Sequence, residues 1–353
     1  MVWRAMVILL AASSGALARG RILYIEFFGY KGIDVAAVRR ALPFREGDRF
    51  SNQIKGQANM AVKRVTGQVA TDVATVCCPG DQDWAIFIGL PGTSSRPLVS
   101  DPVPHGTVTA PSELTTLYTA MTQADQAALA ESATQEDGAP GYLLSKEPKA
   151  RAAELALREY ALHHEDEIVS LLQSTGDNIQ RAMAAEALGY CARSARQIAA
   201  LVRAARDPDD GVRNNSVRAF GEIVRADPSL ASQVAPDNFI AMIHSGTWTD
   251  RNKASFVLLF LTQSRDSRLL ARLQSEAGDA LHEMAQWRAP GWSVPARVVL
   301  ARMSGKSDLT AMIASGILSP WQIAFAATLV LLLLAVITWI AFRFVRNRRL
   351  RPA

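Results

Sequence analysis

Apolar and polar positions change their spacing several times along this 353-residue chain, and each change predicts an element. RILYIEFF, from Arg21 to Phe28, is rich in β-formers and alternates, which predicts a strand. DVAAVRRAL follows as a short amphipathic helix that Asp34 can cap. Ser51 opens a second helix, from about Asn52 to Val65, with Ile54, Ala58, Ala61, Val62 and Val65 on one face. VATDVATVCC and DWAIFIGL then read as two strands joined by a tight turn at Pro79-Gly80-Asp81. The predicted order, β-α-α-β-β, suits one sheet with two helices on one face.

Residues 91–111, PGTSSRPLVSDPVPHGTVTAP, are rich in proline, serine and glycine and read as a linker, with domain boundaries at 92 and 111. Everything beyond it is helical in pattern, starting with a helix over Ser112–Ala130, apart from a predicted loop at Glu136–Leu144. From residue 150 the pattern repeats. RAMAAEALGY, RNNSVRAFGE and RNKASFVLLF align on Arg181, Arg213 and Arg251. Small residues recur at Ala184, Ser216 and Ala254, and large apolar ones at Leu188, Phe220 and Leu258. Weaker copies place Leu157 and Leu300 in the same position, with spacings of 31, 32, 38 and 42 residues. Repeated helix pairs that share an apolar face predict an α-solenoid over 112–314.

Both ends differ from this body. Arg4 precedes a short apolar run that closes in Ala16-Leu17-Ala18, so residues 1–18 read as a signal peptide cleaved after Ala18. Ile323–Phe342 holds no charged residue, enough to cross about 30 Å as a helix. Ser319 and Pro320 suit its start, and Trp321 and Trp339 suit the two interfaces. Arg343, Arg346, Arg348, Arg349 and Arg351 follow, the last four in a basic tail over 344–353. A transmembrane helix over 319–343 is therefore expected, with the tail in the cytoplasm and the N-terminus outside, periplasmic or extracellular. The expected location is a bacterial inner membrane, crossed once.

Charge then changes its meaning. The chain has 38 basic and 33 acidic residues, but Arg4 and the five tail arginines account for six of the basic ones, and neither end carries an acid. The remainder is close to neutral, so the basic pI reflects the ends and argues against a nucleic-acid surface.

Two resemblances add to this reading. The opening strand Ile22–Phe28, Gly29, Val38-Arg39 and Gly47-Asp48-Arg49-Phe50-Ser51 resemble a POTRA domain over residues 19–92. That likeness implies protein binding, often by adding a partner strand to a free sheet edge. DPDDGVRNNSVRAFGEI, residues 207–223, resembles a HEAT repeat, and the short spacings resemble the compact class noted in phycobilisome lyases. In that family such Asp and Arg residues stack between repeats. The resemblance thus assigns Asp177, Arg181, Asp209, Arg213 and Arg251 to a structural ladder; Arg213-Asn214-Asn215 and Arg251-Asn252 read either as a binding face or, the favoured reading, as ladder arginines with the Asn residues facing solvent.

No catalytic constellation, cofactor motif or metal-ligand spacing stands out. His163-His164-Glu165 with Asp166 lacks a metal-site spacing, because neighbouring helical residues point about 100° apart. The acidic turn at Asp207, Asp209 and Asp210 lacks the Gly and Glu positions of a calcium loop. Cys77, Cys78 and Cys191 leave an odd thiol. Cys77 and Cys78 read either as a strained neighbouring disulfide or as two packed thiols, and Cys191 as core. The functional expectation is a non-enzymatic, membrane-anchored scaffold that binds unidentified proteins in the cell envelope, with no cofactor. The alternatives are a lyase-like chromophore-handling enzyme, or a sensor subunit acting through a membrane partner.

Overall fold

The computed structural model describes residues 20–77, 83–131, 133, 135–138, 141–316, 328 and 337–338. A small sheet lies near the N-terminus: β1 (Ile22–Phe28), β2 (Asp72–Cys77) and β3 (Trp84–Gly89). Between β1 and β2 come α1 (Val35–Ala41) and α2 (Ile54–Thr66). The Asp34 carboxylate starts α1 by accepting from Ala37 N at 3.0 Å. Gly67, at φ +80°, ends α2 in the left-handed region.

The strand order is β1-β3-β2, with β3 parallel to β1 and antiparallel to β2. β3 is central and every one of its residues is buried, which fits its unbroken apolar run. Its side chains divide by parity. Trp84, Ile86 and Ile88 pack with Val38, Leu42, Ile54, Ala58 and Val62 of the two helices. Ala85 and Phe87 point the other way, into the core of the helical body. Phe87 lies 4.8 Å from Trp248, 5.0 Å from Trp287 and 5.3 Å from Trp292, ring centre to ring centre. The sheet is thus the middle layer of three, and contacts cross freely between it and the helices beyond the proline-rich segment.

The helical body begins with α3 (Ser112–Ala130), then a small hairpin of β4 (Glu136–Asp137) and β5 (Leu144–Ser145) where a loop is expected from sequence. It continues with α4 (Pro148–His163), α5 (Glu165–Ser174), α6 (Asn178–Leu188), α7 (Ala195–Ala204), α8 (Asp210–Ala226) and α9 (Asp237–Ile243). α10 (Trp248–Leu261), α11 (Ser267–Glu276), α12 (Gly278–Ala285), α13 (Pro290–Met303) and α14 (Asp308–Ala314) complete it. Helices α6, α8, α10 and α13 pack one on the next, while α5, α7 and α9 each pack on the helix that follows them. Of the large residues of the repeated pattern, Leu157, Leu188, Phe220 and Leu258 are fully buried, and Leu300, in the last and weakest copy, is only half-buried. Phe220 stacks on Phe239, with ring centres 5.4 Å apart. α10 is the central helix, and every residue from Trp248 to Leu258 is buried, including Asp250, Arg251, Asn252 and Lys253.

The expected transmembrane helix is corrected here. Among the described residues no helix is long and apolar enough to cross a membrane. The longest, α3, carries Glu113, Asp125 and many Thr and Gln residues, whose burial in hydrocarbon would be costly. The single-pass fold and the inner-membrane location are therefore not carried further. Residues 319–343 lie outside the described residues except 328, 337 and 338, and with them lie Trp321, Trp339, Arg343, Arg346, Arg348 and Arg349. The signal peptide, 1–18, and the tail, 344–353, also lie outside.

Candidate functional site

Three arginines at one position of successive helix pairs organise the edge of the helical body. Each sits in the first turns of its helix, and each reaches back to the turn that precedes it. Arg181 Nη1 donates to Thr175 O at 3.2 Å and Gly176 O at 3.0 Å. Arg213 Nη1 donates to Asp207 O at 2.8 Å and Pro208 O at 3.0 Å. Arg251 Nε donates to Ser245 O at 2.7 Å. The acceptor stands six residues before the arginine in all three, reached through Nη1 by Arg181 and Arg213 and through Nε by Arg251.

The other prongs reach forward to the next pair. Arg181 binds Asp207 through two contacts, 2.7 and 3.1 Å. Arg213 binds Asp250 at 2.8 and 2.9 Å. Arg251 meets Glu283 on α12 at 3.3 Å. A planar guanidinium suits this double duty, because its donors are fixed in a fork. Burial raises the Asp250 carboxyl above its ordinary range, while the Arg213 and Ser245 hydrogen bonds pull it back. Burial alone would lower Arg213, but its bond to Asp250 outweighs this and holds it above its ordinary value. Arg251 is pulled by burial down to about 10, opposed by Glu283, and so keeps its charge at neutral pH.

The sequence places all five ladder residues on this edge, but it misjudges two roles. Asp177 and Asp209 do not receive the arginine forks. Asp177 caps α6, accepting from Ile179 N at 2.8 Å and Gln180 N at 3.1 Å. Asp209 caps α8, accepting from Val212 N at 3.0 Å, and also accepts from Asn178 at 2.6 Å. The acids that do receive them are Asp207, Asp250 and Glu283. They stand 26, 37 and 32 residues after the arginines that bind them, so no constant spacing in the sequence marks them. Asn214 and Asn252, expected in solvent, are buried. Asn215 donates to Ala182 O at 3.0 Å and Glu186 at 3.2 Å.

On the turns pinned by this ladder lies the proline-rich segment 91–111, extended and tied down at intervals, with much of its surface in solvent. It is a strap and not a free linker. Ser94 O accepts from Arg251 Nη2 at 2.8 Å, and Ser94 Oγ donates to Glu283. Arg96 N donates to His244 O at 2.7 Å, and Asp101 N to Arg206 O at 2.8 Å. Gly106 O accepts from Gly176 N at 3.3 Å. Those three turns precede α10, α8 and α6 in that order. Gly106 has no room for a side chain, since a Cβ there would stand 2.1 Å from Ser174 O. Asp101 adds a charge contact, accepting from Arg206 Nε at 2.9 Å with Arg203 Nε 3.7 Å away.

No family model matches this chain, and no curated protein matches it.

The remaining candidates from the sequence sit apart. His164 stacks on Tyr160 and bonds the Tyr160 carbonyl at 2.8 Å, while His163 faces Glu159 at 3.5 Å. Among the described residues no group of three His, Cys, Asp or Glu is placed to hold a metal ion. Cys77 is disulfide-bonded, whereas Cys191 is a free thiol whose burial pushes it up to about 12; Cys78 lies outside the described residues. The sheet has two edge strands, β1 and β2, and the outer edge of β1 is occupied. Ile22 N donates to Asp48 O, Ile22 O accepts from Gly47 N, Ile25 N donates to Glu46, Arg39 Nη2 donates to Ile25 O, and Trp287 Nε1 donates to Phe27 O at 3.0 Å.

A second polar cluster is buried between α6, α8, α10 and the β4–β5 hairpin. Arg218 bridges Glu136 at 2.8 Å and Glu186 at 3.3 Å. Lys253 is fully enclosed nearby, and burial followed by the Arg218 charge lowers it to about 7. Arg218 and Glu186 line a space of about 20 Å³, room for a water molecule.

Proposed function

We propose that this chain is a non-enzymatic scaffold that binds partner proteins through extended segments laid along the turn edge of its helix pairs. One observation carries the reading: the strap itself is such a segment, held by main-chain hydrogen bonds to the turns before α10, α8 and α6. Main-chain bonds recognise an extended chain whatever its side chains, and the flanking pockets then select among sequences. The arginine ladder supports this use, because it fixes the turn carbonyls and leaves the neighbouring groups of each turn in register. The near-neutral charge of the chain without its ends also favours protein over nucleic acid.

The test is site-specific photo-crosslinking in intact cells. A photoreactive residue replaces Asn238, beside the strap, and in a control replaces Met60, exposed on α2. The expected result is a discrete set of crosslinked proteins from position 238 and none shared with position 60. Identical sets from both positions, or none from position 238, would remove the reading.

A further inference from the structure

We infer that the strap is a displaceable placeholder for the partner's own segment, and that this segment carries a carboxylate for the Arg203–Arg206 pair. The inference rests on the scaffold reading and adds the chemistry of the occupant and its regulation.

The strap satisfies the groove's main-chain groups but not its volume. Its anchors fall at Arg96, Asp101 and Gly106, five residues apart, one for each turn. Between them Pro97, Val99, Ser100, Pro102, Val103 and His105 are exposed, and Val99 keeps 78% of its surface in solvent. Beneath residues 96–100 an open cavity of about 510 Å³ separates the strap from α9 and α11. That volume falls within the range of about 300–1,000 Å³ typical of ligand sites. Ile240 and Ala241 give it an apolar floor, and Asn238, Asp237, Arg272 and Glu276 give it a polar rim. Leu98 of the strap lines it, half-buried and packed against the helical core, yet the cavity stays open beside that side chain.

An extended segment that repeats the three main-chain contacts and also places an apolar side chain in this cavity would bind better than the strap does. The strap's advantage is covalent linkage, equivalent to a local concentration on the order of millimolar. It therefore excludes weak binders and yields to a matched one. The middle anchor defines the match. Asp101 is the strap's carboxylate against Arg203 and Arg206, so a partner needs an acid there, and proline beside it is tolerated because Pro102 already occupies that place. At the position of Gly106 only glycine fits, given the 2.1 Å approach to Ser174 O.

The experiment uses the full chain and a fluorescent synthetic peptide of residues 94–110. Gly106→Val breaks the last anchor from the strap side and leaves the groove unchanged. By anisotropy, Gly106→Val should bind the peptide at least tenfold more tightly than the unaltered chain. A peptide carrying Asp101→Lys should lose at least tenfold, and Arg206→Glu in the chain should recover part of that loss. Equal affinity in the unaltered and Gly106→Val chains, or indifference to the carboxylate, would overturn the inference. Hydrogen exchange on the unaltered chain tests it without any variant. The amides of Arg96 and Asp101 should exchange at least 100-fold faster than those of α8 and α10. Equal protection would make the strap a fixed part of the fold and sink the inference. The scaffold reading would survive that result if crosslinking at position 238 still gave its own partners.

Discussion

Arg213 and Asp250 close a two-pronged ion pair, 2.8 and 2.9 Å, between one helix pair and the next, and solvent barely reaches either side chain. The same guanidinium holds the carbonyls of Asp207 and Pro208. One side chain thus ties a turn to its own helix and to its neighbour.

Removing Arg213 leaves the Asp250 charge buried without its main partner. Arg213→Ala is expected to cost about 3–5 kcal/mol, and Arg213→Lys to recover only part, because an ammonium lacks the fork. Denaturant midpoints measure both. A double-mutant cycle with Asp250→Asn should give a coupling well above 1 kcal/mol, on the order of values for contacting pairs. A coupling within error would mean that the pair is only geometric.

Phe220 is fully buried and stacks on Phe239. Phe220→Ala should destabilise the helical body by about 3–5 kcal/mol, from lost transfer energy and the cavity left behind. A shift within error in the denaturant midpoint would place the aromatic pair outside the cooperative core.

The sheet and the helical body share Phe87, which lies among Trp248, Trp287 and Trp292. Phe87→Ala should cost about 3–5 kcal/mol in the full chain. Residues 20–92 alone should bind a hydrophobic dye and show collapsed amide dispersion, because Phe28, Val76, Ala85 and Phe87 lose their cover. A well-dispersed spectrum without dye binding would show that the sheet needs no helices beyond its own two.

Lys253 gives stability a pH dependence. Burial lowers it from an ordinary 10.5 to about 7, so between those values the unfolded chain holds a proton that the folded chain lacks. Stability from this group therefore rises with pH through that window, and its penalty is complete below about 7. Lys253→Met should flatten the slope of unfolding midpoints between pH 7 and 9. Parallel slopes in the two proteins would assign the dependence to another group.

Much of the local structure was legible in the sequence because it depends on neighbours a few residues apart. Alternation marks Ile22–Phe28, and the spacing of Ile54, Ala58, Ala61 and Val62 marks a helix face that is buried, although Val65, expected on the same face, is exposed in the last turn. Aligned repeats place Arg181, Arg213 and Arg251 at one position, and in the structure each reaches a carbonyl six residues back, with the two-pronged fork on an acid shared by Arg181 and Arg213. Asp34, Asp177 and Asp209 cap helices by contacts of two or three residues, which any sequence window contains.

Contacts between distant residues were decided only by the tertiary structure. Asp207, Asp250 and Glu283 became the ladder's acids because stacking brought them to an arginine fork, and no sequence interval records that. Composition marks residues 91–111 as extended and poor in core residues, a property shared by a free linker and a docked strap. What separates the two is whether the turns before α6, α8 and α10 line up at the strap's own spacing of five residues. Both faces of β3 are apolar in sequence, but the aromatic cluster that covers the second face comes from residues 248–292, over 150 positions away. Periodicity reports which face of an element must be covered, and only packing settles which distant element covers it.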